Sequence, residues 1–378
     1  MTIFRIVLPG SDFKQTVQML LDQADVKING DRPWDIQVHH QQLYPRLLAE
    51  WSMAAGESYM DGWWDCDRLD EMFFRVFRSN LERAMESRTY LHILQAKLLN
   101  LQTPYRAFRV GQHHYDIDNR LYQKMLDRRM IYSCGYWKNA TTLDQAQEAK
   151  LDLICRKLDL QPGMKVLDIG CGWGGTAKYI AERYQVKVVG ITVSEQQAKF
   201  AQDVCKGLPI EIRLQDYREL DESFDRVVSV GMFEHVGYKN YRTYFERVRR
   251  CLKDDGRFLL QTIGTNLTWS TSEPWLEKYI FPNSMLPSAK QITAAIEDVM
   301  MLEDWHNFGP DYDKTLLAWF HNFDTSWDSL NNSHDERFYR MWKYYLLSCA
   351  ASFRARKNHL WQILLSPNGL VGDYRFPR

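Results

Sequence analysis

The chain has 378 residues, with 48 Lys and Arg against 48 Asp and Glu, so it lacks the whole-molecule positive field of a nucleic-acid binder. Its 45% hydrophobic content is enough for one large core or two smaller ones. Seven widely spaced cysteines, with no C-x-x-C, argue against a disulfide framework or a zinc site, and no apolar run reaches the 18 residues of a membrane span. The first twelve residues carry no h-region or cleavage site, so a reducing, cytoplasmic setting is expected.

The first part of the chain, residues 1–110, reads as a small, mainly helical domain. Helical spacing is predicted over 12–24, 44–54 and 69–100, with an aromatic, glycine-bounded turn at 56–64 and a linker bracketed by Pro104 and Gly111. Between Arg75 and Arg109, seven basic residues stand against two acidic ones, a local excess of five, interleaved with apolar residues. This pattern has two readings: a helix with an ordinary solvated face, or a surface drawn to anionic lipid at about 1 kcal/mol per basic residue.

From residue 111 to 378, strand and helix patterns alternate. Strands are predicted at 165–168, 186–191, 210–214, 224–230, 257–263, 301–307 and 361–366. Helices are predicted at 173–184, 194–205, 240–252, 288–298, 314–325 and 334–352. The fold class is therefore α/β, with a seven-stranded, mostly parallel sheet covered on both faces. In such sheets, ligands collect at the carboxyl ends of the strands.

After the first of these strands comes Asp168-Ile169-Gly170-Cys171-Gly172-Trp173-Gly174-Gly175. Glycines without a Cβ let a ligand lie against bare backbone, and the next helix aims its N–H groups into the loop. Gly170, Gly172 and Gly175 fit the dinucleotide fingerprint; Asp168 with Gly170, Gly172 and Gly174 fits the D-x-G-x-G-x-G of S-adenosylmethionine-dependent methyltransferases. The second strand runs into Thr192-Val193-Ser194 and lacks the ribose-binding carboxylate of a dinucleotide site, which favours the methyl donor.

Ser194 and Gln197 form an S-x-x-Q capping box, and Gln215-Asp216-Tyr217 follows the third strand as turn-formers or as adenine contacts. Gly231 to Gly237 places Glu234 and His235 between apolar residues after the fourth strand. Ahead of the sheet, Tyr132-Ser133-Cys134-Gly135-Tyr136-Trp137 surrounds a cysteine with rings. No base is evident beside that cysteine, so it is not read as a nucleophile.

The segments 132–137, 166–175, 231–237 and 305–312, in this order and together with the aromatic turn 56–64, closely resemble the bacterial cyclopropane-fatty-acyl-phospholipid synthases. The resemblance implies a Rossmann-like class I methyltransferase domain over 111–378. It implies transfer of a methylene unit from S-adenosyl-L-methionine to the cis double bond of an unsaturated acyl chain in a membrane phospholipid, through a carbocation deprotonated by bound bicarbonate. It implies cofactor contacts at Tyr132, Ser133, Asp168, Gly170, Cys171, Gly172, Gly174, Thr192, Gln197, Gln215 and Asp216. The bicarbonate cage carries over to Cys134, Glu234, Gln261, the backbone of Ile263, and Tyr312. Gln261 stands where the family commonly has histidine, and an amide cannot carry a proton away. Either positioning of the anion suffices there, or His235 or His306 assists. Also implied are peripheral association with the inner membrane face and a homodimer; no metal and no nucleic acid are expected. Cys349 lies in a matched segment and is read as helix packing.

Overall fold

The computed structural model describes residues 13–79, 119–372 and 375–378. The N-terminal part opens with α1 (Phe13–Asp22), then β1 (Gln37–Val38), α2 (Leu43–Glu50), α3 (Ser52–Met60), β2 (Trp64–Asp65) and α4 (Leu69–Ser79). The single helix expected over 44–54 is two helices, because Trp51 adopts φ 52° and breaks the run. The expected turn at 56–64 is helical as far as Met60. Gly56 is tolerated inside α3 because Trp275 packs against it: a Cβ there would lie 2.3 Å from the indole ring. Helix α4 places Asp70 and Glu71 in its first turn, where the helix dipole favours carboxylates. The continuation expected to residue 100, the 104–111 linker and the boundary at 110 lie outside the described residues.

The rest comprises α5 (Asn119–Met125), α6 (Leu143–Leu158), β3 (Lys165–Ile169), α7 (Gly175–Tyr184), β4 (Lys187–Thr192), α8 (Glu195–Val204), β5 (Ile210–Leu214), β6 (Phe224–Val230), α9 (Tyr241–Cys251) and β7 (Leu252–Thr265). These are followed by α10 (Pro274–Tyr279), α11 (Ala289–Ile296), β8 (Met301–Asn307), α12 (Pro310–Thr325), α13 (Trp327–Leu330), α14 (Glu336–Arg354) and β9 (Asn358–Ser366). Among the described residues, β3 to β9 form one sheet in the order β5-β4-β3-β6-β7-β9-β8. The four pairings from β5 to β7 are parallel, while β9 runs antiparallel to both β7 and β8.

Alternate residues of each strand feed opposite faces, as the pleat requires. Leu167, Val189, Val227 and Leu260 join Tyr244, Phe245 and Val248 of α9. Their chain neighbours Val166, Val188, Val228 and Leu259 join Leu151, Ile154 and Leu158 of α6 and Ile180 of α7. Both faces are thus covered, which is why these strands read as unbroken apolar runs.

A third apolar cluster ties the N-terminal helices to the end of the sheet. Trp64, Leu69 and Phe73 pack with Trp319 of α12 and with Trp342, Tyr344 and Leu347 of α14. Arg354 of α14 reaches Asp70 at 2.9 Å and Asp313 at 2.9 Å, and Arg340 reaches Asp65 at 2.7 Å. Arg75, one of the basic residues flagged by the charge pattern, pairs with Asp25 at 2.7 Å and Glu71 at 2.9 Å, and its guanidinium stacks 4.1 Å from the Trp34 ring.

Candidate active site

The carboxyl ends of β3, β4, β5 and β6 open on one cleft of about 1200 Å³, mouth included. Asp168, Gly170, Cys171 and Gly172 line it after β3, Thr192 and Gln197 after β4, and Gln215 and Asp216 after β5. Tyr132 and Ser133 close it from the segment ahead of α6. Gly174 is the one sequence-derived cofactor residue that does not line the cleft; it is the left-handed N-cap of α7, packed near Ala201 and Cys205. Trp173, Thr176, Tyr217, Arg218, Met232 and His235 also line it; of these, only Thr176 and Arg218 lie outside the motif segments read from the sequence.

Local hydrogen bonding explains the shape. Ser194 Oγ caps the Gln197 N–H at 3.3 Å, but the Gln197 side chain does not return the bond. It accepts instead from Thr192 Oγ1 at 3.1 Å, so the expected capping box is made in one direction only. Asp216 caps a short 3-10 turn through the Arg218 N–H at 2.9 Å. Asp168 is 1% exposed and its Oδ2 has no hydrogen-bond partner. Burial raises its pKa to about 7, against the opposing pull of the Lys150 charge. His235 is driven down to about 4 by burial, so its ring is neutral at pH 7.

The residues to which the resemblance assigns a bicarbonate cage come from four elements. Glu234, in the turn after β6, accepts the Ile263 N–H of β7 at 2.7 Å through Oε1. Its Oε2 is buried without a partner, and burial lifts the carboxyl to about 7. Two residues before Ile263, Gln261 is 1% exposed; its Oε1 accepts from Gln362 Nε2 at 3.0 Å, leaving Gln261 Nε2 a buried donor with no partner. Cys134 is fully buried, and burial pushes its thiol far up. Thr315 Oγ1 stands 3.9 Å from its sulfur and accepts the Gly135 N–H at 3.1 Å. Thr315 lies one turn beyond Tyr312 on α12, so the Cys134 segment docks on the helix that carries the tyrosine. The Tyr312 ring packs against Phe353, with centroids 4.5 Å apart and the planes tilted by 32°. Cys134, Tyr312 and Ile263 belong to one apolar cluster.

The two histidines named beside Gln261 differ in place. His235 lines the cleft, whereas His306 on β8 meets Lys157 Nζ at 3.3 Å and is held down to about 4, mainly by burial. Sequence reasoning missed Gln147 and Lys150 of α6, both buried against the Tyr132–Cys134 segment. Their one signal was a polar pair three apart within a helical pattern.

Residues 102–363 match the family model described as mycolic acid cyclopropane synthetase. The chain is 52% identical over 373 residues to the cyclopropane-fatty-acyl-phospholipid synthase of Escherichia coli K12, covering 97% of this chain and 98% of that protein. It is 33% identical over 281 residues to the S-adenosylmethionine-dependent methyltransferase UmaA of Mycobacterium tuberculosis, covering 68% and 96%. Among solved structures, the mycolic acid cyclopropane synthase CmaA1 complexed with SAH and CTAB superposes with a TM-score of 0.65 at 32% identity, covering 68% of this chain and 98% of that one. Fold, glycine-lined cleft and matches agree: the chain belongs to the mycolic acid cyclopropane synthetase family and is an S-adenosylmethionine-dependent methyltransferase.

Proposed function

We propose that this enzyme adds a methylene unit across the cis double bond of unsaturated acyl chains in membrane phospholipids, with bicarbonate held in the Glu234 cage. S-adenosylmethionine would supply an electrophilic methyl group, and bicarbonate a small base. The cleft residues suit the first: Asp168 offers an unpartnered buried carboxyl oxygen, and Gly172 leaves open space where a side chain would stand. Tyr132, Ser133, Gly170, Cys171, Thr192, Gln197, Gln215 and Asp216 would hold the rest, with Gly174 shaping the loop from behind.

The observation that carries the bicarbonate reading is a pair of orphaned atoms of opposite character. Glu234 Oε2 needs a donor and Gln261 Nε2 needs an acceptor, both out of reach of water. A bicarbonate ion offers a hydroxyl to the first and an oxygen to the second. Tyr312 and Cys134 would complete the enclosure, and Glu234 would fix which oxygen keeps the proton. Around the neighbouring Tyr132, rings crowd closely: Tyr122 lies 5.3 Å and Trp319 5.1 Å away, centroid to centroid. Ring faces of this kind favour a developing carbocation by about 0.5–2 kcal/mol each. An alkene is a weak nucleophile, so alignment and exclusion of water are what the protein must provide.

Peripheral docking on the inner membrane face and a homodimer belong to the same reading. Among the described residues no helix is long and apolar enough to cross a membrane. The test is incubation with vesicles of one defined monounsaturated phospholipid and methyl-labelled S-adenosylmethionine, with and without bicarbonate. Cyclopropane acyl chains by mass spectrometry, at a rate that falls on bicarbonate depletion and returns on its addition, support the proposal. Label only in a branched or water-soluble product overturns the substrate assignment, and an unchanged rate overturns the bicarbonate assignment.

A further inference from the structure

Ile131, Tyr132 and Ser133 line the cleft, Cys134 of the proposed cage follows directly, and two side chains of α6 hold the segment from behind. Gln147 and Lys150 stand three residues apart on that helix and neither is exposed. Gln147 Nε2 donates to the Ser133 carbonyl at 2.7 Å. Lys150 Nζ donates to the Ser133 hydroxyl at 3.0 Å. Asp127 anchors the start of the segment by accepting the Ile131 N–H at 2.8 Å. Ser133 is thereby fixed at both backbone and side chain, with Tyr132 on the cleft before it and Cys134 in the cage after it.

An ammonium group in this position is costly to desolvate, and a helix that needed only packing would carry Leu or Met there. The titratable groups near Lys150 are Asp127 on the preceding loop, Cys134 on the segment it holds and Asp168 at the end of β3. Cys134 is held neutral by burial, so the two carboxyl groups are the partners of its charge. Asp168 is one of them and faces the cleft.

We propose that Lys150 is a positioning residue for methyl transfer: through the Ser133 hydroxyl it fixes the segment that joins the cleft to the proposed cage. The proposal rests on placing S-adenosylmethionine in this cleft. The Lys150 charge opposes the rise that burial forces on Asp168, so without it the carboxyl group would ionise only at higher pH.

The experiment compares Lys150→Gln, which keeps a donor without the charge, with Lys150→Arg, which keeps both, and Lys150→Met, which keeps neither. Calorimetric affinity for S-adenosylhomocysteine, kcat and KM for S-adenosylmethionine from pH 6 to 9, and Tm are measured on the full chain. The expected result is a KM raised at least tenfold in Lys150→Gln, with the acid side of its pH profile moved to higher pH. Lys150→Arg should recover to within about threefold, while Lys150→Met should lose kcat as well. Wild-type KM, kcat and pH profile in Lys150→Gln overturn the proposal, as do losses in all three variants that simply follow Tm. Should Lys150→Met fail to fold, the Gln and Arg variants decide. Gly172→Asn serves as the control on the cleft. If it leaves affinity for S-adenosylhomocysteine intact, the cofactor placement is wrong; if it weakens affinity while Lys150→Gln does not, only the role of Lys150 falls.

Discussion

Replacing Glu234 by Gln should make the protein more stable above neutral pH while stopping its chemistry. The carboxyl group is held at about 7 in the fold, against 4.5 for the free group, because burial penalises the charged form. That displacement of about 2.5 units corresponds to about 3 kcal/mol at 1.36 kcal/mol per unit. Between the two values the folded state keeps a proton that the unfolded chain has released, so stability falls as pH rises. Below about pH 4.5 both states are protonated and no pH-dependent difference remains. Gln keeps the Oε1 contact to the Ile263 N–H, made at 2.7 Å, and carries no charge to bury. The stability difference, variant minus wild type, should therefore grow from near its acid baseline at pH 4.5 to about 3 kcal/mol higher at pH 8. Equilibrium urea unfolding at pH 5, 6, 7 and 8 measures it. Turnover should meanwhile fall by about 10²–10⁴, with cofactor affinity unchanged. A stability difference that stays flat with pH, or that favours wild type at pH 8, would refute the buried-carboxylate argument. Equal losses in turnover and cofactor affinity would remove Glu234 from the chemistry.

Three further outcomes test other parts of the structure. Gly172→Asn should weaken S-adenosylhomocysteine binding at least tenfold by calorimetry with Tm little changed, because φ 56° suits Asn and nothing stands within 4 Å of the new Cβ, yet the residue lines the cleft. Tyr312→Phe should lower kcat in the vesicle assay without altering cofactor affinity or Tm, since the ring contact with Phe353 survives and only the hydroxyl is lost. Arg354→Met should cost about 1–3 kcal/mol in urea unfolding. It strips Asp313 of a 2.9 Å partner and leaves the nearly buried Asp70 to Arg68 alone.

The chain disclosed its sheet more fully than its cage, and the reason is the range of the interactions. Strands β3 to β6 are buried on both faces, so each appears as a short apolar run bounded by turn residues, a local signal. The observed ends of β3 to β6 fall within a residue of those expected, whereas β7 begins at Leu252 rather than 257 because it continues directly from α9. Helix α6 is not legible from its spacing although Thr142 and Gln145 form a complete capping box, since its long polar stretch hides the buried stripe. The cage has no local signal at all. The residues proposed for it sit at 134, 234, 261, 263 and 312, linked in the fold by the Ile263–Glu234 hydrogen bond and by Thr315 bridging to the Cys134 segment. Only the family resemblance connected those positions in advance. Lys150 escaped even that, because a lysine in a helical pattern is normally solvated; burial alone marks it. It also gives the two halves of the site a common mechanical element. On the proposed placement, a shift of Ser133 on the cleft side would be passed to Cys134, one residue away, so the cofactor's seat and the cage would adjust together.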